Sequence, residues 1–145
     1  MDKVDKLLIS LLQENARYSL KELSEKVYLS SPAVASRIAR LEEKGLITGY
    51  HAEINPKKLG YHVTAYINVS MQPKRKQAFI PFIKEFRNVI ECSEVAGDNS
   101  VTIKAMFADT DGLREFIENL QKFGHTETQI VLSEFVAHRG ISVEI

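Results

Sequence analysis

The sequence is short of cysteine, of tryptophan and of net charge. Its only cysteine is Cys92, which excludes a disulfide framework and a cysteine-based metal site within one chain. Nineteen Lys and Arg residues balance nineteen Asp and Glu residues, so this is not a protein that coats nucleic acid or a membrane through bulk charge. No apolar run approaches the roughly 18–20 residues that a membrane span needs, and the first residues do not form a signal segment. We therefore expect a cytoplasmic globular protein without a membrane partner.

The motifs that usually carry catalysis are also missing. The sequence has no glycine-rich phosphate loop and no nucleophile elbow. Cys92 has no basic cluster beside it in the chain, so we expect a buried structural thiol. The four histidines show no i, i+4 pair and no ligand spacing. They are His51, His62, His125 and His138. We expect no metal, no cofactor and no catalytic residue, and therefore a protein that is not an enzyme.

The first half of the chain has the pattern of three short helices. Apolar residues recur at helical spacing from Val4 to Leu12, behind an Asp2 that can cap the helix. Ser19 and Glu22 have the spacing of a capping box and predict the start of a second helix of about two turns.

A third helix is predicted after a short break. Ser30 or Ser31 can cap it, and Gly45 has the position of its C-terminal stop. Residues 47–54 are predicted to form a short hairpin or wing. The polar, turn-forming run 55–60 marks a domain boundary.

The second half of the chain alternates strands and helices. The predicted strands are 63–71, 89–96, 101–107 and 127–136, and the predicted helices are 73–86, with Pro81 inside it, and 110 to about 124. The order β-α-β-β-α-β is the split βαβ, ferredoxin-like arrangement, which places both helices on one face of a four-stranded antiparallel sheet. The fold class is therefore α+β.

One face of that sheet is predicted to stay free of helices. It would carry Thr64, Tyr66, Asn68 and Ser70 of the first strand, joined by Val131 and Phe135 of the last strand. A half-apolar open face commonly pairs with a second copy of itself. We therefore expect self-association through residues 61–145.

Two short helices joined by a tight turn fit the helix-turn-helix template, in which the second helix enters the major groove of double-stranded DNA. The candidate DNA-binding residues lie on that helix and just beyond it: Ser30, Ser31, Ala33, Ser36, Arg37, Arg40, Lys44 and Tyr50, with His51. Arginine pairs bidentately with guanine, which gives roughly 1–3 kcal/mol of discrimination per good contact. The alternative is an ordinary amphipathic helix with a solvated basic face.

The run from Leu29 to Tyr50 resembles the recognition helix and exit of the leucine-responsive/asparagine-operon (Lrp/AsnC) regulators. So do the opening Asp5-Lys6-Leu7-Leu8, the hinge Asn55-Pro56-Lys57-Lys58-Leu59-Gly60 and the segment Val95-Ala96-Gly97-Asp98. The resemblance implies a winged helix-turn-helix in residues 1–60 and a ferredoxin-like effector-sensing and oligomerisation domain in residues 61–145. It also implies dimers, often assembled into octamers, and a small effector that is most often an amino acid.

The chain departs from that family at three places. Ser36 and Ala39 stand where relatives are often basic, and Tyr28 occupies a turn position that is usually glycine. Relatives often have Gly-x-Tyr-Asp in the loop before the third strand. Here the candidate effector-binding residues are Gly97, Asp98, Asn99 and Ser100, for which a plain turn is the alternative.

The leading hypothesis is a sequence-specific transcriptional regulator modulated by a small effector. A second hypothesis is an enzyme that resembles siroheme decarboxylases, with His62, His125 and His138 as candidates around a tetrapyrrole. A third is a DNA-organising protein with little sequence preference.

Overall fold

The computed structural model describes residues 1–98 and 100–144, which form two compact units. The first unit contains Met1–Glu53 together with the segment that begins at Phe135, and the second contains Ile54–Glu134. The predicted hinge lies in the second unit, where Pro56–Leu59 form a 3₁₀ turn. No helix in the described part of the chain is long and apolar enough to cross a membrane.

The first unit is a bundle of three helices whose N-terminal caps follow the predicted pattern. The helices are α1 (Lys3–Glu14), α2 (Leu20–Val27) and α3 (Ser31–Glu43). Asp2 and Ser19 both form capping boxes, and Ser30 caps α3 by accepting from the Ala33 N–H at 3.4 Å. Leu8, Leu23, Val27 and Val34 form the buried core of the bundle.

Two residues in left-handed conformation end α2 and α3. Gly45 has a φ of 67°, and the N–H groups of Gly45 and Leu46 donate to α3 carbonyls at 2.9 Å. Tyr28 has a φ of 56° and is the only non-glycine residue with positive φ among residues 1–98 and 100–144. Its side chain is 93% exposed, so nothing packed against the ring offsets the strained backbone.

The hairpin predicted for residues 47–54 is wrong, because these residues carry no strand. Two isolated strands are marginally stable in water, and this segment has no third strand beside it. The three helices are therefore followed by an irregular segment up to the 3₁₀ turn.

The second unit has the predicted ferredoxin-like topology. Its elements are β1 (Val63–Met71), α4 (Lys76–Glu85), β2 (Val89–Glu94), β3 (Val101–Phe107), α5 (Thr110–Leu120) and β4 (Gly124–Ile130). The strands are antiparallel to their neighbours in the order β2-β3-β1-β4. Alternate residues of β1 and β3, such as Ile67 and Ile103, are fully buried beneath Phe79 and Phe116 of the two helices.

The opposite sheet face is open, as predicted. Thr64, Asn68 and Ser70 are half-buried and Tyr66 is exposed. The prediction that Phe135 joins this face is wrong, because its side chain is 98% exposed and lies beyond β4 in the first unit. Val131 follows the last strand, and its N–H donates to the Thr64 carbonyl at 2.9 Å.

Several element boundaries differ from the prediction. β4 begins at Gly124 rather than residue 127 and ends at Ile130 rather than residue 136. Gly124 pairs with Met71, and a Cβ on Gly124 would overlap the Ser70 carbonyl, so the close approach of the two strands requires glycine here. The segment after Glu134 belongs to the first unit, where the Ile141 carbonyl accepts from the Gln13 amide at 3.1 Å.

The other boundaries shift by a few residues. α5 ends at Leu120, short of Gly124, and β2 ends at Glu94 rather than at residue 96. The helix predicted for residues 73–86 consists of a 3₁₀ turn, Pro73–Arg75, followed by α4, and Pro81 lies inside α4.

Candidate functional site

The solvent-facing side of α3 is polar and of mixed charge rather than strongly basic. Val34 and Leu41 are buried and Ile38 packs against the core, which turns the opposite face to solvent. The exposed residues of α3 are Pro32, Ser36, Ala39, Arg40, Glu42 and Glu43. Its N-terminal part carries the small residues Ser36 and Ala39, and its C-terminal part carries Arg40, Glu42 and Glu43.

The start of α3 presents backbone N–H groups next to two serines. Ser30 is exposed at the cap, whereas Ser31 is half-buried and donates to the Ser24 hydroxyl at 3.5 Å. Ala33 is half-buried in the first turn. A helix N-terminus with free N–H groups attracts phosphate oxygens.

The predicted arginines do not point freely into solvent. Arg37 Nη1 donates to Asp2 Oδ2 at 2.6 Å and to Asp5 Oδ1 at 2.7 Å. Arg40 Nη2 lies 3.3 Å from Asp5 Oδ1 and 3.4 Å from Asp5 Oδ2. These four side chains, which we call the Asp–Arg cluster, join the start of α1 to the middle of α3. Two arginines and two carboxylates make the cluster neutral.

The two carboxylates of the cluster differ in exposure. The Asp2 side chain is 52% exposed, whereas that of Asp5 is 5% exposed. Asp5 is the only buried polar or charged residue in the described part of the chain. Burial raises the pKa of Asp5, but hydrogen bonds from Arg37 and from the Asp2 N–H outweigh burial and lower the pKa below its usual value.

Hydrogen bonds also shift the pKa values of Asp2 and Arg37 in this cluster. The Asp5 N–H and then the Arg37 guanidinium lower the pKa of Asp2. Asp2 and Asp5 raise the pKa of Arg37. Asp2, Asp5 and Arg37 are therefore charged at neutral pH. The sequence predicted the capping role of Asp2 but missed its contact with Arg37, because no local pattern shows which helix lies beside α3.

Beyond α3, Lys44 is exposed and Tyr50 folds back onto the helix. The Tyr50 hydroxyl donates to Glu42 Oε1 at 2.7 Å. Burial, and then the Glu42 carboxylate, raise the pKa of Tyr50 to about 12, so the hydroxyl keeps its proton as a donor. His51 is exposed next to it.

The candidate effector loop lies between β2 and β3. Gly97 has a φ of 137°, and the Asp98 carbonyl accepts from the Ser70 hydroxyl at 3.5 Å. The Ser100 hydroxyl donates to the Met71 carbonyl and accepts from the Met71 N–H, both at 3.1 Å. Asn99 lies outside the described residues. The Ser100 hydroxyl is thus bonded to the β1 backbone.

A cavity of about 540 Å³ opens between α4 and β2. This is within the roughly 300–1,000 Å³ of small-molecule sites. Its apolar lining is Met71, Phe79, Ile80, Ile83, Phe86, Val89, Ile90 and Val101. Lys76 and Glu94, which also line the cavity, form an ion pair in which Lys76 Nζ lies 2.7 and 2.8 Å from the two carboxylate oxygens. Ser100 of the candidate effector loop borders the same cavity.

Cys92 also lines this cavity, and the prediction of a buried thiol is wrong. Cys92 stands opposite Ile103 in the β2–β3 ladder and therefore faces the helix-bearing side of the sheet. β2 is an edge strand, and α4 leaves the Cys92 end of the strand uncovered, so the residue is exposed. Partial burial still raises the pKa of the thiol.

Two family models match the two halves of the chain. Residues 1–48 match the model for winged helix-turn-helix DNA-binding, and residues 64–141 match the Lrp/AsnC ligand binding domain. The three-helix bundle and the ferredoxin-like sheet described above are the structures of these two domains. The protein is therefore a DNA-binding transcriptional regulator with a second domain for a small effector.

Similar proteins identify the family more closely. The chain is 33% identical over 135 residues to the HTH-type transcriptional regulator LrpA of Bacillus subtilis, covering 92% of this chain and 99% of LrpA. The solved structure of B. subtilis LrpC has a TM-score of 0.90 at 28% identity, covering 95% of this chain and 99% of LrpC. A Neisseria meningitidis transcriptional regulator in complex with L-Met has a TM-score of 0.90 at 26% identity, covering 96% of this chain and 94% of that one. The chain belongs to the Lrp/AsnC family of transcriptional regulators.

Proposed function

We propose that this protein is a sequence-specific regulator that binds double-stranded DNA through the N-terminal half of α3. It acts in the cytoplasm without catalysing a reaction and as a dimer formed through residues 61–145. The observation that carries the proposal is the polar, solvent-facing side of α3, with a Ser30-capped N-terminus at one end and Lys44 at the other.

The proposed DNA contacts divide into two groups. Ser30, Ser31, Lys44 and Tyr50 lie at the two ends of α3, where they suit phosphate oxygens. Ala33, Ser36, Arg37 and Arg40 lie on its first three turns, where they suit base edges, and the two arginines also suit phosphate oxygens. Arg40 is the most exposed basic group of the second set, with a side chain 48% exposed.

The first test is binding to the DNA upstream of the protein's own gene, measured by fluorescence anisotropy against bulk DNA at several salt concentrations. We expect tighter, salt-dependent binding to the upstream fragment. Arg40→Ala should weaken that binding by about tenfold without unfolding the protein. Arg114→Ala is the matched control, since Arg114 is an exposed arginine of α5. Equal affinity of the wild-type protein for both DNAs contradicts the proposal.

We further propose that the effector is an amino acid that binds in the α4–β2 cavity, which Ser100 lines, and that Gly97, Asp98 and Asn99 are the other effector-binding residues. The apolar walls suit an apolar side chain, and Lys76 and Glu94 supply opposite charges for an α-carboxylate and an α-ammonium. A relative of the same fold was solved as an L-Met complex, which supports an effector of this class.

Cys92 provides a direct test of the cavity because it is the only thiol in the chain and lines the cavity wall. A thermal-shift screen against the twenty amino acids selects ligands, and the rate of Cys92 alkylation is then measured with and without each of them. We expect a stabilising amino acid to slow alkylation at least about threefold at saturation. A ligand that raises the melting temperature but leaves the alkylation rate unchanged binds elsewhere and contradicts this site.

A further inference from the structure

We infer that Asp2 and Asp5 act on DNA binding through Arg37: Asp5 positions the arginine, and Asp2 competes with a DNA phosphate for it. This inference rests on the proposed DNA contacts of α3. It assigns a role to two acidic residues at the start of α1, outside the proposed recognition set.

The role of Asp5 follows from its burial and its two partners. Its carboxylate lies between Arg37 and Arg40, at 2.7 Å from the first and 3.3 Å from the second. A buried carboxylate cannot leave its partners without losing strong charge-assisted hydrogen bonds. Asp5 therefore holds the two guanidinium groups at a fixed separation. Without Asp5, each long and flexible arginine side chain would move independently of the other.

The role of Asp2 follows from its exposure. Its contact with Arg37 at 2.6 Å joins two side chains that water reaches, so the pair is weak and exchangeable. Both carboxylates approach the same nitrogen, Nη1 of Arg37. A DNA phosphate that approaches Arg37 from the solvent side meets the negative charge of Asp2 first. Arg37 can keep Asp5 and exchange Asp2 for the phosphate.

One substitution separates the charge of Asp2 from its structural role. Asp2 also caps α1 by accepting from the Asp5 N–H at 2.9 Å. Asparagine caps helices about as well as aspartate, so Asp2→Asn keeps the cap and removes the competing charge. Asp109→Asn is the matched control, because Asp109 caps α5 in the second unit by accepting from the Gly112 N–H at 2.9 Å.

The experiment compares wild type, Asp2→Asn, Asp109→Asn, Arg37→Gln and the double variant Asp2→Asn/Arg37→Gln on the upstream fragment and on bulk DNA. At about 50 mM salt we expect Asp2→Asn to bind both DNAs about two- to fivefold more tightly. The slope of the logarithm of the binding constant against the logarithm of salt concentration should be steeper by up to about one. Asp109→Asn should bind like wild type. The gain should disappear in the Arg37→Gln background, which shows that it passes through Arg37.

A second variant tests the positioning role of Asp5. Asp5→Asn should bind the upstream fragment more weakly while its affinity for bulk DNA stays within about twofold, because Arg37 and Arg40 keep their charge but lose their fixed separation. A role in stability alone would lower the melting temperature and leave the ratio of the two affinities, measured below the melting transition, unchanged. An unchanged ratio in the folded variant overturns this part of the inference.

The outcomes for Asp2 also separate this inference from the proposed function. Competition by Asp2 is overturned if Asp2→Asn binds DNA with wild-type affinity. It is also overturned if the gain in affinity persists in the double variant with Arg37→Gln. If the wild-type protein shows no preference for the upstream fragment, sequence-specific binding is overturned. The inference is still supported in that case if Asp2→Asn binds bulk DNA more tightly and this gain in affinity requires Arg37.

Discussion

At the scale of single residues, Tyr28 is the clearest departure from low-energy geometry. Its backbone is left-handed and its ring is 93% exposed, so the positive φ destabilises the fold and side-chain contacts offset little of that cost. We predict that Tyr28→Gly stabilises the first unit by about 1 kcal/mol, because a left-handed L-residue costs roughly 1–2 kcal/mol and the added freedom of glycine in the unfolded chain offsets part of the gain. Chemical denaturation measures the change.

The control for this prediction is Tyr28→Ala. Alanine removes the ring but retains the Cβ atom that makes positive φ unfavourable. It should therefore leave the free energy of unfolding close to the wild-type value. If Tyr28→Gly is no more stable than Tyr28→Ala, backbone strain at residue 28 does not destabilise the protein.

Because the pKa values of Asp2 and Asp5 are lowered in the folded protein, its stability should fall at acidic pH. A carboxyl with a lower pKa in the folded state stabilises the fold above its unfolded pKa, and that contribution is lost as pH falls through the folded value. The usual value is 3.8, so the wild-type melting temperature should fall steeply below about pH 4. Asp5→Asn should start from a lower melting temperature at neutral pH and show a shallower fall below about pH 4. Parallel curves for the two proteins contradict this assignment.

Local chemistry explains which residue-scale features were predictable from sequence. The capping boxes of Asp2 and Ser19 depend on residues three positions apart, and both are present. The pairing of Arg37 with Asp2 and Asp5 joins residues 35 and 32 positions apart and depends on how α1 packs against α3. The sequence supplied the arginines but not their partners.

At the scale of elements, the α4–β2 cavity follows from an edge strand that its neighbouring helix does not fully cover. Cys92 faces the cavity side, and Ser93, opposite Thr102, faces the other side of the same strand. We predict that Cys92→Phe fills part of the cavity and weakens effector binding at least about tenfold, while DNA binding without effector is unchanged. Calorimetry with the amino acid selected by thermal shift measures the change.

Ser93→Phe is the control, because it adds the same ring to the helix-free face of β2. It should leave effector affinity unchanged. If both variants bind the effector like wild type, the effector site does not include this cavity.

Strand boundaries show where sequence patterns lose their predictive power. Alternation identified β1 and β3 over their full lengths, since one face of each is buried. The prediction placed β4 too far along the chain. The N-terminal half of the strand is polar, and its register depends on Gly124 lying against Ser70. The hairpin predicted for residues 47–54 is absent for a related reason: alternation in these residues has no buried face to enforce it.

At the scale of the whole molecule, the open sheet face connects self-association to DNA affinity. Tyr66 is exposed at the centre of this face, and Lys104 of β3 lies 5.8 Å from its ring centre. The α3 surface offers few basic groups, so one DNA-binding domain alone should bind weakly. Two linked domains raise the affinity for a two-fold DNA site by about 10²–10⁴ without any new contact.

We therefore predict that Tyr66→Glu breaks the dimer and weakens binding to the upstream fragment by at least about tenfold, since burying a carboxylate, even beside Lys104, costs desolvation that opposes pairing of the two faces. Sedimentation gives the mass, and anisotropy gives the affinity. Tyr61→Glu is the control, because Tyr61 is also exposed but precedes β1. It should remain dimeric and bind like wild type. A Tyr66→Glu protein that stays dimeric moves the interface away from this face, and a monomer with wild-type DNA affinity shows that a single α3 suffices.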